Sequence, residues 1–179
     1  MSLTDEQLMI AAGKGDMAAF EQIVIRYQQF AWRIAYRHTG NSSDAEEIAQ
    51  EAFLKILDSA GSYRSSAKFS TYLHKVLANL CIDHVRKKKP QINNDFFGGK
   101  EFTEMPYTDL QIQERDKAVK SAVDSLPARQ RLAVILRYYE NLPYSQIADA
   151  MNTSVKAVER LLARARKLLE SSLSVFFEK

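Results

Sequence analysis

The 179-residue chain predicts an all-α protein: two small helical domains joined by a flexible linker. Three observations carry this. Apolar residues recur three and four apart through both halves, helix-opening and helix-closing residues bracket the periodic stretches, and no stretch alternates as a strand does. Between the halves, QINNDFFGGKEFTEMPYTDL mixes Asn, Gly, Pro and acids with scattered aromatics and has no period, as a linker does. The expected boundaries are a first domain at 1–90, a linker at 91–111 and a second domain at 112–179. Hydrophobic residues make up 46% of the chain, enough for one or two small cores.

Thr4 and Gln7 have capping-box spacing, so a short first helix begins there and fails at Gly13 and Gly15, with Asp16 restarting the chain. Phe20, Ile23, Val24, Tyr27, Phe30, Ala31, Ile34 and Ala35 then form a buried stripe that ends near Gly40. Ser43 and Glu46 suggest a second capping box. The helix that follows buries Ile48, Ala52 and Ile56 and leaves an acidic edge in water. A serine-rich loop around Tyr63 and Arg64 precedes FSTYLHKVLANLCIDHVRKKKP, a helix from near Ser70 with Phe69, Leu73, Leu77, Leu80 and Cys81 inward and cations at its end. Past the linker, a helix over RDKAVKSAVDSL, a helix opened by Pro127, and the segments PYSQIADAM and SVKAVERLLARARKLLESSL complete a second helical block.

A formal charge of +3 is modest, so affinity for nucleic acid has to come from where the cations sit. One cysteine, Cys81, excludes an internal disulfide framework and a cysteine-built zinc site, and fits a reducing cytoplasm; on the apolar stripe it reads as a small core residue, with redox sensing left open. The acidic start lacks an export signal, and no apolar run is long enough to span a bilayer, so a soluble, unprocessed, cytoplasmic protein without membrane insertion is expected. His38, His74 and His84 lack metal-ligand spacing and read as exposed or partly packed; no metal and no cofactor are expected. Gly13-Lys14-Gly15 has no phosphate-binding frame, and nucleophile, base and oxyanion donors are nowhere grouped, so the chain reads as no enzyme.

The sharpest motif is YSQIADAMNTSVKAVERL, which has helix-turn-helix form. Ala148 lets two helices approach, Ile147, Met151, Val158 and Leu161 wedge between them, and Asn152 stands where the turn needs a left-handed residue. Val155, Val158, Leu162, Ala165 and Leu169 share the inner spacing of the second helix. That leaves Lys156, Arg160, Arg164 and Lys167 outward, at an angle that suits the major groove. The bland reading, a solvated face on a helical core, leaves the turn chemistry and Ala148 unexplained. On the helix after Phe69, the face of Lys68, Thr71, Lys75, Asn79, Asp83, Arg86 and then Lys87 offers cations for phosphates and Asn79 for base edges; cations at a helix C-terminus are equally favoured by its dipole.

The stretches FEQIVIRYQQFAWRIAYRHTGNSSDAEEIAQEAFLKIL, FSTYLHKVLANLCIDHVRKKK and LPARQRLAVILRYYENLPYSQIADAMNTSVKAVERLLARARKLL, in this order and over nearly the whole chain, closely resemble the bacterial extracytoplasmic-function (ECF) sigma factors of the sigma-70 family. The first domain resembles sigma region 2, a helical bundle for polymerase binding and −10 recognition and melting. The second resembles region 4, a helix-turn-helix for −35 recognition. The resemblance implies a sigma factor that binds core RNA polymerase and directs promoter recognition, DNA melting and transcription initiation. Its implied partners are the β′ clamp helices and β flap of the polymerase, promoter DNA both duplex and single-stranded, and the anti-sigma factor that members often have.

Residue by residue, it implies that Asp44, Glu47, Gln50 and Glu51 meet the clamp helices. Asn79, Asp83, Arg86 and Lys87 would face the −10 element, and Tyr63, Arg64 and Lys68 would help receive an unstacked base. Ser154, Lys156, Ala157 and Arg160 would read the −35 duplex, with Arg164 and Arg166 nearer its backbone. Many members carry a small hydroxyl residue and then arginine where this chain has Arg160 and Leu161, so their sequence preference is not expected to transfer. Tyr72 stands where tryptophan is usual and keeps an aromatic platform. The linker aromatics Phe96, Phe97, Phe102, Met105 and Tyr107 either dock in the assembled complex or pack on their own domains. The rival reading is a helix-turn-helix regulator that acts on duplex without polymerase; it leaves the acidic DAEEIAQE edge unused.

Overall fold

The computed structural model describes residues 3–88 and 110–177, and every element among them is helical. The start of the expected linker and its aromatics lie outside the described residues; at its far end Leu110 and Gln111 already belong to a helix.

Helix α1 (Asp5–Gly13) opens on the predicted capping box: the Gln7 N–H donates to Thr4 Oγ1 at 3.2 Å and the Thr4 N–H to Gln7 Oε1 at 2.9 Å. Gly13 is the last residue of α1, and it does more than end it. A Cβ there would lie 2.4 Å from the Ala60 carbonyl oxygen, so the missing side chain lets α1 lie against the 3₁₀ turn Ala60–Ser62. The break itself falls at Gly15, with φ of 96°. Gly13→Ala should therefore cost about 1–3 kcal/mol by forcing two backbones apart. The urea midpoint of the full chain reads this directly, and an unchanged midpoint would refute the close approach.

Asp16 caps α2 (Met17–Thr39) through the Ala19 N–H at 3.1 Å, and left-handed Gly40, φ 69°, closes it. The capping box expected at Ser43 and Glu46 is not what opens α3 (Ser42–Ser59). Asn41, immediately after the Gly40 turn, takes the Asp44 N–H at 3.0 Å, and asparagine is as good an N-cap as serine. Helix α4 (Phe69–Lys88) begins with the Phe69 N–H donating to Glu6 Oε1 of α1 at 3.1 Å. Backbone donors, its own and that of Phe69, hold the Glu6 carboxyl below its usual range. Asp5 accepts from Arg26 at 2.7 Å and from the Tyr27 hydroxyl at 2.5 Å, completing the tie of α1 to the bundle.

The second half comprises α5 (Leu110–Asp124), α6 (Ala128–Val134), α7 (Tyr144–Ala150) and α8 (Val155–Phe177), which packs on the other three. Pro127 opens α6 as expected, but the helix does not run straight on. Ile135–Tyr139 form a π turn, a locally underwound, wider stretch that precedes Glu140 and leaves Tyr138 and Tyr139 exposed.

The two halves meet. Helix α4 packs on α7 and α6, and α2 touches α6 and the π turn, so one apolar core runs through the seam. This overturns the expectation for the histidines. His38 and His74 are 1% and 6% exposed, because each half supplies the cover that neither sequence segment shows by itself. His38 Nε2–H donates to the Ala128 carbonyl at 3.2 Å, and Arg131 donates to the His38 carbonyl at 2.7 Å and to the Asp124 and Leu126 carbonyls. His84 is also engaged, 3.2 Å from Asp44 Oδ2 on α3.

Candidate nucleic-acid interface

The helix-turn-helix is built as its sequence predicts. Asn152 takes φ of 49°, which asparagine adopts at low cost, and the Thr153 N–H closes the turn on the Ala148 carbonyl at 2.9 Å. Ile147, Met151 and Val158 are buried between α7 and α8, with Leu161 packed against them. Ser154 Oγ caps α8 by accepting the Ala157 N–H at 3.2 Å. Ser154, Lys156, Arg160 and Arg164 are exposed on α8, and Ala157 is half-buried. One residue departs from expectation. Val155, placed on the inner stripe, is the first residue of α8 and is 42% exposed. Arg166, whose pKa the Tyr138 hydroxyl raises, lines an apolar groove of about 680 Å³ with Val123, Val134, Leu162 and Leu169.

The loop after α3 is held by its own chemistry. Tyr72 OH and Ser59 Oγ lie 2.5 Å apart, and the Tyr63 and Tyr72 rings sit at 5.8 Å and 57°. The Tyr63 hydroxyl is buried without a hydrogen-bond partner, and burial raises its pKa. Arg64 and Lys68 are exposed beside it. Tyr63, Arg64 and Tyr72, without Lys68, open on a cleft of about 480 Å³, lined also by Thr71, Lys75, Asp149 and Asn152. An aromatic pair and cations around such a space suit a stacked, unpaired base.

On α4, Asn79 is exposed and Asp83 pairs with Arg86 at 3.2 Å on an open surface, where such a pair is worth about 0–1 kcal/mol and yields readily to a phosphate. Lys87 continues this exposed end. Cys81 lies fully buried on the opposite stripe, and desolvation pushes its thiol up to about 12, which leaves little thiolate for redox chemistry.

The acidic edge of α3 sorts into two. Glu47 and Gln50 are exposed and Glu51 half-buried, with Lys55 3.5 Å from Glu51, whereas the Asp44 carboxylate faces His84 and ties α3 to α4. Beside Glu47 and Glu51 at helical spacing lies Leu54, 62% exposed, which the sequence reading passed over. Its signal was available: a large apolar residue off the Ile48–Ala52–Ile56 stripe.

A helical bundle leading into a helix-turn-helix half defines a sigma-70-type transcription factor, and both halves match accordingly. The Sigma-70 region 2 model covers residues 23–91 and the Sigma-70 region 4 model residues 116–169. The ECF RNA polymerase sigma factor SigW of Bacillus subtilis is 31% identical, over 89% of this chain and 91% of its own. The RNA polymerase sigma-H factor of Pseudomonas aeruginosa is 29% identical, over 94% of this chain and 93% of its own. Among solved structures, CnrH in complex with the cytosolic domain of CnrY has the same fold, with a TM-score of 0.68 and 23% identity over 96% of this chain and 97% of that one. The chain belongs to the ECF sigma factors.

Proposed function

We propose that this chain, as a non-catalytic cytoplasmic factor, binds core RNA polymerase and directs it to promoters, where it assists melting and initiation. The supporting observation is the separation of three surfaces. Exposed cations and Ser154 on α8 suit duplex DNA; the loop around Tyr63 with Asn79, Arg86 and Lys87 on α4 suits a separating strand. Glu47, Gln50, Glu51 and Leu54 on α3 belong to neither. An acidic rim around an exposed leucine fits a basic protein helix, which we assign to the β′ clamp. The β flap would meet the second half. The solved sigma factor RpoE of Bartonella quintana is in complex with the anti-sigma factor NepR, and we extend a partner of that kind to this chain.

No helix among the described residues is long and apolar enough to cross a membrane. Transcription in vitro with sigma-free core polymerase tests the reading. RNA chains should start at discrete sites only when both are present, and Glu51→Lys with Leu54→Ala should weaken association with the core. A chain that protects a duplex site equally well with and without polymerase would instead be the polymerase-independent regulator.

A further inference from the structure

Past Cys81 no described residue of α4 is fully buried, and this end of the helix carries Asp83, Arg86 and Lys87, which face the separating strand in the function proposed for the chain. Something besides the apolar core has to fix where it lies. His84 sits among these residues, next to Asp83, but its side chain turns inward and is only 14% exposed. Its Nε2, buried without a hydrogen-bond partner, lies 3.2 Å from Asp44 Oδ2 on α3, whose side chain is 17% exposed. With a proton on the ring the contact is ionic. It is far less open to screening than the neighbouring Asp83–Arg86 pair, whose side chains are 47% and 79% exposed.

Asp44 is itself held in place. Its N–H donates to the Asn41 cap at 3.0 Å, and a carboxylate in the first turn of a helix is favoured by the helix dipole. Glu47, Gln50, Glu51 and Leu54 follow on the same unbroken helix, α3.

We propose that Asp44 and His84 are a positioning pair, which sets the DNA-facing end of α4 against the polymerase-facing helix α3. This rests on the proposed function. Polymerase grips α3 through Glu47, Gln50, Glu51 and Leu54, and the pair passes that fixed position on to Asp83, Arg86 and Lys87. Binding surfaces work when supporting contacts hold them to within about 0.5 Å of the productive geometry. Without the pair α4 stays packed through Leu73, Leu77, Leu80 and Cys81, but its last turns lose their register on α3. The resemblance places Asp44 on the clamp helices; turned towards α4, its carboxylate acts through His84 instead.

The test uses the full chain with sigma-free core polymerase and a duplex template on which initiation is observed. His84→Leu should bind the core within about two-fold of wild type, while open-complex formation falls about three-fold or more, within the range of coupling between residues in contact. Permanganate reactivity of unpaired thymines reads the opening. Asp44→Ala should show the same fall, and the double variant no more than either single. That non-additivity separates two residues acting through one contact from two that each support the fold. If His84→Leu fails to fold, His84→Asn, polar but too short to reach Asp44, gives the same readouts. Undiminished opening in the folded variants, a loss of core binding as large as the loss of opening, or losses that add in the double variant would each overturn the pair. A wild type that starts no RNA with the core would sink the function reading instead.

Discussion

Between about pH 6.5 and about pH 4 the folded chain should lose about 3 kcal/mol of stability through His38 alone. Burial first, then the nearby Arg131 charge, lower its pKa to about 4. In the unfolded chain the imidazole titrates near its ordinary value, about 6.5. A depressed pKa means that the neutral ring is what folding favours. The contribution is thus intact above about 6.5 and falls away as the pH drops towards 4, because the unfolded state takes up the proton first. Arg131 disfavours its charged form, the Ala128 carbonyl favours it less strongly than that, and His84 disfavours it least of all. Carboxylates elsewhere also titrate in this range, so the measurement is a difference. Urea unfolding of wild type and His38→Gln across this interval should show the acid limb flattened in the variant by about that amount, since the amide can still donate to Ala128. Parallel limbs would mean that His38 is open to water.

The second large effect concerns sequence reading. Arg160→Ala should reduce discrimination among upstream duplexes by about 1–3 kcal/mol, roughly 5- to 150-fold, if the side chain forks onto a base. Arg160 is exposed on α8 one turn beyond Lys156, and its neighbour Val158 is fixed in the core, so the backbone beneath it is rigid. Competition among −35 variants for the polymerase-bound chain provides the measure. A loss of equal size on every sequence would recast Arg160 as a phosphate contact.

Much of this was legible along the chain. The Thr4 box, the Asp16 cap, the closing Gly40, the left-handed Asn152 and the apolar stripes of α2 and α4 are local matters, decided by backbone sterics and by which face of one helix is apolar. The cap at Asn41 was misread by two residues because serine and asparagine compete on nearly equal terms. Leu54 showed as a break in its own helix's pattern.

The sequence by itself determined the helices, their inner faces, the helix-turn-helix and the family, since each depends on residues close together or on a pattern carried by consecutive positions. Tertiary structure alone decided that Glu6 caps a helix 63 positions away, that Gly13 must lack a side chain for Ala60, and that His38 and His74 are buried where two halves meet. Burial and pairing of these groups depend on what the distant chain brings against them, and no periodicity along one segment records that.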